Sequence, residues 1–574
     1  MKRPAGYAPA FLDGIRRRLP LVASFVLTAV LVGGCGGGSS NSGSTSSGGR
    51  GGTLTVVSTG PPDSIDPALA YSNLAWGFLN ATNDGLVAFR KTSGEAGTQI
   101  VPDLSTNVPT PTSGGKVYTF HLRNGVTYSN GAPVRASDFR NAIQRLFKAQ
   151  SPSPYFSDIV GASACAAKPA TCNLSQGIVT DDSTGEISIH LTQPNGELLD
   201  QLALPFADLV PPSVPNKDVG VHAAPATGPY MIQSYVPNVS LTLVRNPHFT
   251  VWSTAAQPAG YPSKIVFKFD VNAESEVNEV LSGQADWAYD NPPADRLGDL
   301  ATNHAKLMHF EPNSTTWWFF LNTLQPPFNN LQARQAFNYA VDRGAVVKLF
   351  GGSGVASATC QLLSPLIVGY KAYCPYTSGS TSSGKWSAPD MSKAKQLVAA
   401  SGTRGDPVSV YTETDEPARS VGIYIQSVLQ SLGYKPTLKP LSTSVYYNVA
   451  PNSATKANTG WFEWIPDYPS PGQAFIVPTF SCASRRLNSS ANLNASQYCN
   501  PALDKKIAQA LSVETSQGVQ ASAPMWTAID HTLTDQAALL PLVNAKRIIL
   551  LSDRVKNLVY SPAFFPLISQ FQVQ

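Results

Sequence analysis

Charge is what this sequence has least of. Asp, Glu, Lys and Arg make up 14% of its 574 residues, against roughly 25% in an ordinary soluble domain. Neither sign dominates: five of the 41 bases (Lys2, Arg3, Arg16, Arg17, Arg18) and one of the 37 acids (Asp13) precede Cys35, which leaves 36 against 36 in the remainder. A neutral body without a basic tract argues against a nucleic-acid reader, which needs a positive footprint to meet phosphate. Histidine is scarce and dispersed, the nearest of the seven being His304 and His309, and there is no His-Glu-x-x-His. Cysteine spacings of six, thirteen and sixteen intervening residues do not suit zinc, which prefers Cys-x2-Cys or clustered His. No metal and no cofactor is expected.

Catalytic templates are missing too. Gly379-Ser-Thr-Ser-Ser-Gly384-Lys385 opens like a phosphate-binding loop, but Trp386 stands where Ser or Thr would hold magnesium, and no apolar strand leads into it. Gly351-Gly352-Ser353-Gly354 begins like a nucleophile elbow and continues with Val355, outside a strand-turn-helix setting. Nothing proposes an enzyme. A cell-wall hydrolase remains a rival reading that an activity screen would expose.

Proline (46) and glycine (44) are plentiful, as are Ser, Thr and Asn, so the chain is rich in turns. About 540 residues follow Cys35, well past the ~250 to 300 at which one core usually splits, so two or more lobes are expected. At the other end, Arg16-Arg17-Arg18 precedes the apolar run Leu19 to Val32 and the small residues Gly33-Gly34. A basic flank, a run too short to span a bilayer comfortably and a small-residue exit describe an export signal. Val32-Gly33-Gly34-Cys35 resembles the bacterial lipobox, in which the cysteine is acylated; Gly36 to Gly52 then forms a Gly/Ser tether. The arginine triplet also fits twin-arginine export, although Leu19-Pro20 continues it poorly. Beyond Cys35 the six cysteines fall into local couples, Cys165 with Cys172, Cys360 with Cys374 and Cys482 with Cys499. An even number in an exported chain suggests disulfides; fifteen connectivities are open, and local pairing is the expectation.

Strands are expected at Thr53 to Val57 and at Lys116 to Arg123, with turns at Asn124-Gly125 and Asn130-Gly131. Further alternation marks Ile187 to Leu191, Leu241 to Leu243 and Ile265 to Phe269. Helices are expected from Ser137, over Leu331 to Val341, over Ser392 to Ala400, and over Pro417 to Leu432 with Gly433 as the stop. The last follows a strand, Val408 to Tyr411. The chain is mixed α/β without internal repeats.

One loop stands out: Gly460-Trp461-Phe462-Glu463-Trp464-Ile465-Pro466-Asp467-Tyr468-Pro469-Ser470-Pro471. Aromatic walls around a carboxylate suit an ammonium-bearing ligand, through ion pairing and cation–π contact. A packed surface loop with a solvated Asp would read the same way.

Five segments in order resemble the extracytoplasmic solute-binding proteins of ABC importers, of the oligopeptide/dipeptide type (family 5). They are Ser64-Ile65-Asp66-Pro67-Ala68 with Asp84-Gly85-Leu86-Val87; Tyr118 to Val126 with Ser129 to Val134 and Ser137-Asp138-Phe139; Thr227-Gly228-Pro229-Tyr230 with Arg245-Asn246-Pro247; Pro327-Phe328 with Ala333 to Arg343; and Trp464 to Pro471. The resemblance implies an α/β, two-lobed periplasmic-binding-protein-like fold (type II) with an extra subdomain in the first lobe. The expected division is a signal peptide over 1–34, a tether over 35–52, lobe I over 53–90, 207–315 and 536–574, the extra subdomain over 91–206, and lobe II over 316–535. It also implies a monomer, lipid-anchored outside the cytoplasm, that closes on a peptide and delivers it to permease subunits in the membrane. Alternatives are a cationic small molecule or oligosaccharide as solute, or a ligand sensor serving no transporter.

In family peptide binders the Asp of Trp-x-x-Asp holds the ligand's α-amino group, which puts that role on Asp467 of Trp464-Ile465-Pro466-Asp467. Trp464, Tyr468, Trp461 and Trp317 join it as candidate ligand contacts, Trp317 because the chain should cross between lobes there. One departure concerns the ligand carboxylate. Dipeptide-type members place an Arg in the loop after the strand matching Val408 to Tyr411, where this chain has Thr412-Glu413-Thr414-Asp415-Glu416. A ligand carboxylate therefore lacks its usual partner unless Arg419 or Arg404 swings in; otherwise the ligand is longer, with its C-terminus solvated, or is a cation or neutral sugar. The architectural motifs Arg245-Asn246-Pro247 and Arg334 to Arg343 are expected away from the ligand.

Overall fold

The alternating segments become the strands of two large sheets. In the computed structural model, which describes residues 50–574 except 154 and 491, the first sheet has seven strands in the order Met308–Glu311, Arg547–Leu551, Trp287–Ala288, Thr53–Val57, Lys264–Lys268, Ser240–Arg245 and Tyr230–Val236. Thr53–Val57 runs parallel to both of its neighbours and buries Leu54, Val56 and Val57, as a strand covered on both faces should. The second sheet has six strands in the order Ala356–Ala358, Leu539–Ala545, Thr316–Leu321, Thr459–Trp464, Pro407–Glu413 and Lys435–Leu441. The chain passes from the first sheet to the second between Glu311 and Thr316. It returns between Ala545 and Arg547.

That return corrects an expectation. Residues from 536 were assigned to the first lobe, yet Leu539–Ala545 pairs with Thr316–Leu321 in the middle of the second sheet. Leu539, Leu540, Leu542 and Val543 are all buried, and a near-continuous apolar run is stable only where both faces are covered. The segment 91–206 contributes a three-stranded antiparallel sheet, Val117–His121, Glu186–His190 and Ile178–Asp181, and the helix Ala136–Lys148. Its apolar residues merge with those of the seven-stranded sheet into one core, and a second core fills the other lobe.

Helices fall where periodicity put them: Leu331–Ala340, Met391–Ser401 and Ala418–Ser431. Gly402 and Gly433 close the last two at φ 70° and 91°, in the left-handed region that favours glycine. The long pair Pro501–Gln517 and Val519–Asp535 was not expected, because its apolar positions follow no clean stripe. Disulfides join Cys165 to Cys172, Cys360 to Cys374 and Cys482 to Cys499, with Cα atoms 4.3, 5.0 and 4.4 Å apart. No helix among the described residues is long and apolar enough to cross a membrane. The signal segment, the candidate lipidation site Cys35 and the tether up to residue 49 lie outside the described residues.

The motif arginines hold backbone. Arg343, fully buried, donates to the carbonyls of Thr359, Pro541 and Asn338 at 2.9 to 3.1 Å. Arg334 donates to those of Phe328, Gln536 and Ala537. Both tie helices of the second lobe to the strand Leu539–Ala545 or its approach, and a guanidinium's fixed fork suits that task.

Candidate functional site

Three prolines stop the strand Thr459–Trp464 from continuing, since proline cannot supply the next ladder N–H. The chain therefore leaves the second sheet at Trp464 as a loop and crosses to the first lobe, where two polar contacts receive it. Asp467 Oδ2 accepts hydrogen bonds from Tyr71 Oη at 2.8 Å and from Tyr155 Oη. Tyr71 is held by Asp63, which accepts from the Tyr71 N–H at 2.6 Å and from Ser72 Oγ at 2.6 Å, while Ser72 caps the helix Asn73–Thr82. Burial raises the Asp467 carboxyl above the usual carboxylate range, and the two phenol donors pull it partly back.

The second contact centres on Glu197. Its carboxylate accepts from Tyr468 Oη (2.5 Å), Ser470 Oγ (2.6 Å) and the Gln473 N–H (3.0 Å). Gln201 Nε2 extends the network to Gln473 Oε1 at 3.0 Å. Three donors from one loop converge on Glu197 and Gln201 donates back to that loop, so it is fastened beyond Asp467 as well as at Asp467 itself.

Between these lobes lies a cavity of about 470 Å³, in the range of small-molecule sites. Tyr71 and Trp76 wall it on the first lobe, joined by Pro562, Ala563 and Phe565 from the C-terminal segment. Tyr447, Phe462, Glu463, Trp464 and Asp467 wall it on the second. Of the residues expected at a site, Trp464 and Asp467 line the cavity. Trp464 is oriented by its indole N–H, which donates to the Ala474 carbonyl at 2.7 Å.

The other candidates stand elsewhere, for identifiable reasons. Trp461 is completely buried in the second core against Trp317, Phe319 and Phe350, because alternation turns it opposite to Phe462 and Trp464. Trp317, just past the crossing, packs on that same cluster and is absent from the cavity wall. Tyr468 is spent on Glu197. Arg419 is exposed, on the outer side of the helix Ala418–Ser431, and Arg404 is exposed beside Gly433. Sequence reasoning missed Tyr71, Tyr155 and Glu197, whose partners lie hundreds of residues away and leave no local signal.

A buried acidic group adjoins the clamp. Glu514, on the helix Pro501–Gln517, is 3% exposed, and its carboxyl has no close hydrogen-bond partner among the described residues beyond the nearby Trp526 indole N–H. Burial, with added repulsion from Glu197 and Asp200, pushes it up to about 9, and Asp200 up to about 8. The folded protein therefore keeps a proton that the unfolded chain gives up near the usual Glu value of 4.5. This contribution to stability is complete below that value and is lost as pH rises through about 9. Glu514→Gln is expected to flatten the fall in melting temperature between pH 6 and 9 and to melt above wild type at pH 9. Identical melting curves at pH 9 would show that Glu514 ionises without cost.

Residues 99–485 match the family model described as bacterial extracellular solute-binding proteins, family 5 Middle. The periplasmic oligopeptide-binding protein OppA of Salmonella typhimurium is 27% identical over 460 residues, covering 75% of this chain and 77% of that one. The probable D,D-dipeptide-binding periplasmic protein DdpA of Escherichia coli is 23% identical over 524 residues, covering 89% and 92%. Among solved structures, the clavulanic acid biosynthesis oligopeptide binding protein 2 superposes with a TM-score of 0.81 at 23% identity, covering 92% and 96%. The two-lobed fold is shared with these proteins.

Proposed function

Because this chain belongs to the bacterial extracellular solute-binding proteins of family 5, we propose that it captures a peptide between its lobes and delivers it to the permease of an ABC importer. The observation that carries this reading is Asp467, a half-buried carboxylate in the cavity wall whose partners among the described residues are two hydroxyls and no cation. A peptide's α-ammonium supplies the missing charge, and a charged hydrogen bond in a closed cleft is worth roughly 1.5–3 kcal/mol. Trp464, Tyr71 and Trp76 offer faces for the adjoining side chain and cation.

The cavity wall holds no Lys, Arg or His among the described residues. A free ligand carboxylate would have no partner inside it, so the peptide's C-terminal end extends out of the cavity into solvent. In this reading the protein binds without catalysis, works as a monomer, and is held outside the cytoplasm by lipid on Cys35, with the Gly/Ser tether giving the reach to meet the permease. The extra subdomain of the first lobe, 91–206, serves in it to carry Tyr155 and Glu197 to the clamp.

Mass spectrometry of molecules released by denaturing the purified protein is expected to return peptides, from material found in the membrane fraction for wild type and in the soluble fraction for Cys35→Ser. Release of a sugar would overturn the peptide reading. Membrane retention of the variant would overturn the anchor.

A further inference from the structure

We propose that the cavity selects a ligand with two cationic centres, the first on Asp467 and the second on Glu463. This rests on the peptide-binding reading of Asp467 and goes beyond it. In a chain with so little charge, two acids in the wall of one cavity, without a basic side chain beside them, are a strong local excess. Neither is neutralised by the protein: none of the ion pairs formed among the described residues includes Glu463 or Asp467. The Glu463 carboxyl accepts no hydrogen bond among those residues either.

Two neighbours of Glu463 favour a cation. Glu413, at the end of the neighbouring strand Pro407–Glu413, adds negative charge, and Tyr447 adds a neutral phenol. Burial and Glu413 push the Glu463 carboxyl up to about 8. A ligand cation brought against it reverses that balance and expels the proton, so binding near pH 7 should release protons. The remaining wall is largely aromatic, from Tyr71, Trp76, Tyr447, Phe462, Trp464 and Phe565, and such faces favour ammonium and guanidinium groups. A neutral side chain would leave the Glu463 carboxyl protonated and unpaired, and an acidic one would be repelled.

Spacing sets the size of the ligand. Three residues lie between the two positions, four steps along the chain, so their Cα atoms lie at most about 14 Å apart. A peptide with Lys or Arg within its first few residues bridges that span; so does a free polyamine. The shared chemistry is the pair of cationic centres.

Titration calorimetry on the full exported chain decides, with Ala-Ala-Ala, Ala-Lys-Ala and spermidine as probes in two buffers of different ionisation enthalpy. Ala-Lys-Ala is expected to bind about tenfold or more tighter than Ala-Ala-Ala and to release more protons. Both measurements use the wild-type protein and stand even if a variant fails to fold. Glu463→Gln should bring the two peptides to within about twofold of each other. Spermidine binding above Ala-Lys-Ala with the same dependence on Glu463 would support the two-cation site and overturn the peptide reading. Equal affinity for the two tripeptides, with both weakened by Asp467→Asn, would overturn the two-cation site and leave the peptide reading standing. A lysine preference that survives Glu463→Gln would remove Glu463 from the site, and no binding of any probe would overturn both.

Discussion

Asp66→Ala is expected to lower the stability of the folded chain by about 3–5 kcal/mol, the loss that follows when one partner of a buried ion pair is removed. Asp66 and Arg145 are 0% and 1% exposed. They meet through two parallel bonds, Nη1 to Oδ1 at 2.6 Å and Nη2 to Oδ2 at 2.5 Å. Asp66 also accepts from the N–H groups of Ala68 and Val219, and Arg145 donates to the carbonyls of Pro215 and Lys217. Alanine would strand the guanidinium and release two separate stretches of backbone, at Ala68 and at Val219. One of them leads directly to Tyr71, so cavity geometry should suffer together with stability. Asp66→Asn, which keeps shape and one acceptor, should cost less. Urea unfolding measures both, and a loss below about 1 kcal/mol for the alanine variant would show that water replaces the carboxylate.

Asp467→Ala should weaken binding of an amino-terminated peptide at least about tenfold, because it removes a charged partner worth roughly 1.5–3 kcal/mol in the closed cleft. It also removes the acceptor that draws Tyr71 and Tyr155 of the first lobe to the second. Asp467→Asn separates these roles: an amide oxygen still accepts both phenol protons but cannot balance an ammonium. A large loss for both variants assigns Asp467 to charge, whereas a loss confined to alanine assigns it to closure or to hydroxyl recognition of a neutral solute. Trp464→Ala should weaken binding through lost stacking area and leave the preference for a positive charge intact. Titration calorimetry with whatever ligand co-purifies reads all three, and unchanged affinity in Asp467→Ala would remove that residue from the site.

The buried strands and the capped helices were legible because their signals are local. Ile187, Ile189, Leu241, Leu243, Ile265 and Phe267 alternate, and Gly402 and Gly433 terminate helices by a preference that needs no tertiary context. The aromatic-acid loop was legible as well, since proline and tryptophan crowd into twelve residues. Which of its rings face the cavity was not: Trp461 and Trp464 look alike in sequence, and the strand's alternation is masked where both faces are apolar.

By itself the sequence determined a neutral, turn-rich, mixed α/β chain of more than one core, with six of its cysteines in local couples, a family resemblance and a candidate anchor at Asp467. Tertiary structure alone decided that Tyr71 and Tyr155 donate to Asp467, that Glu197 fastens the loop, and that Leu539–Ala545 belongs to the second sheet. Each of those outcomes depends on a contact spanning some 220 to 400 residues. A propensity or a period is written within a few neighbouring residues. The pairing of a carboxylate with a hydroxyl from another lobe is fixed only once both cores have packed and brought them together.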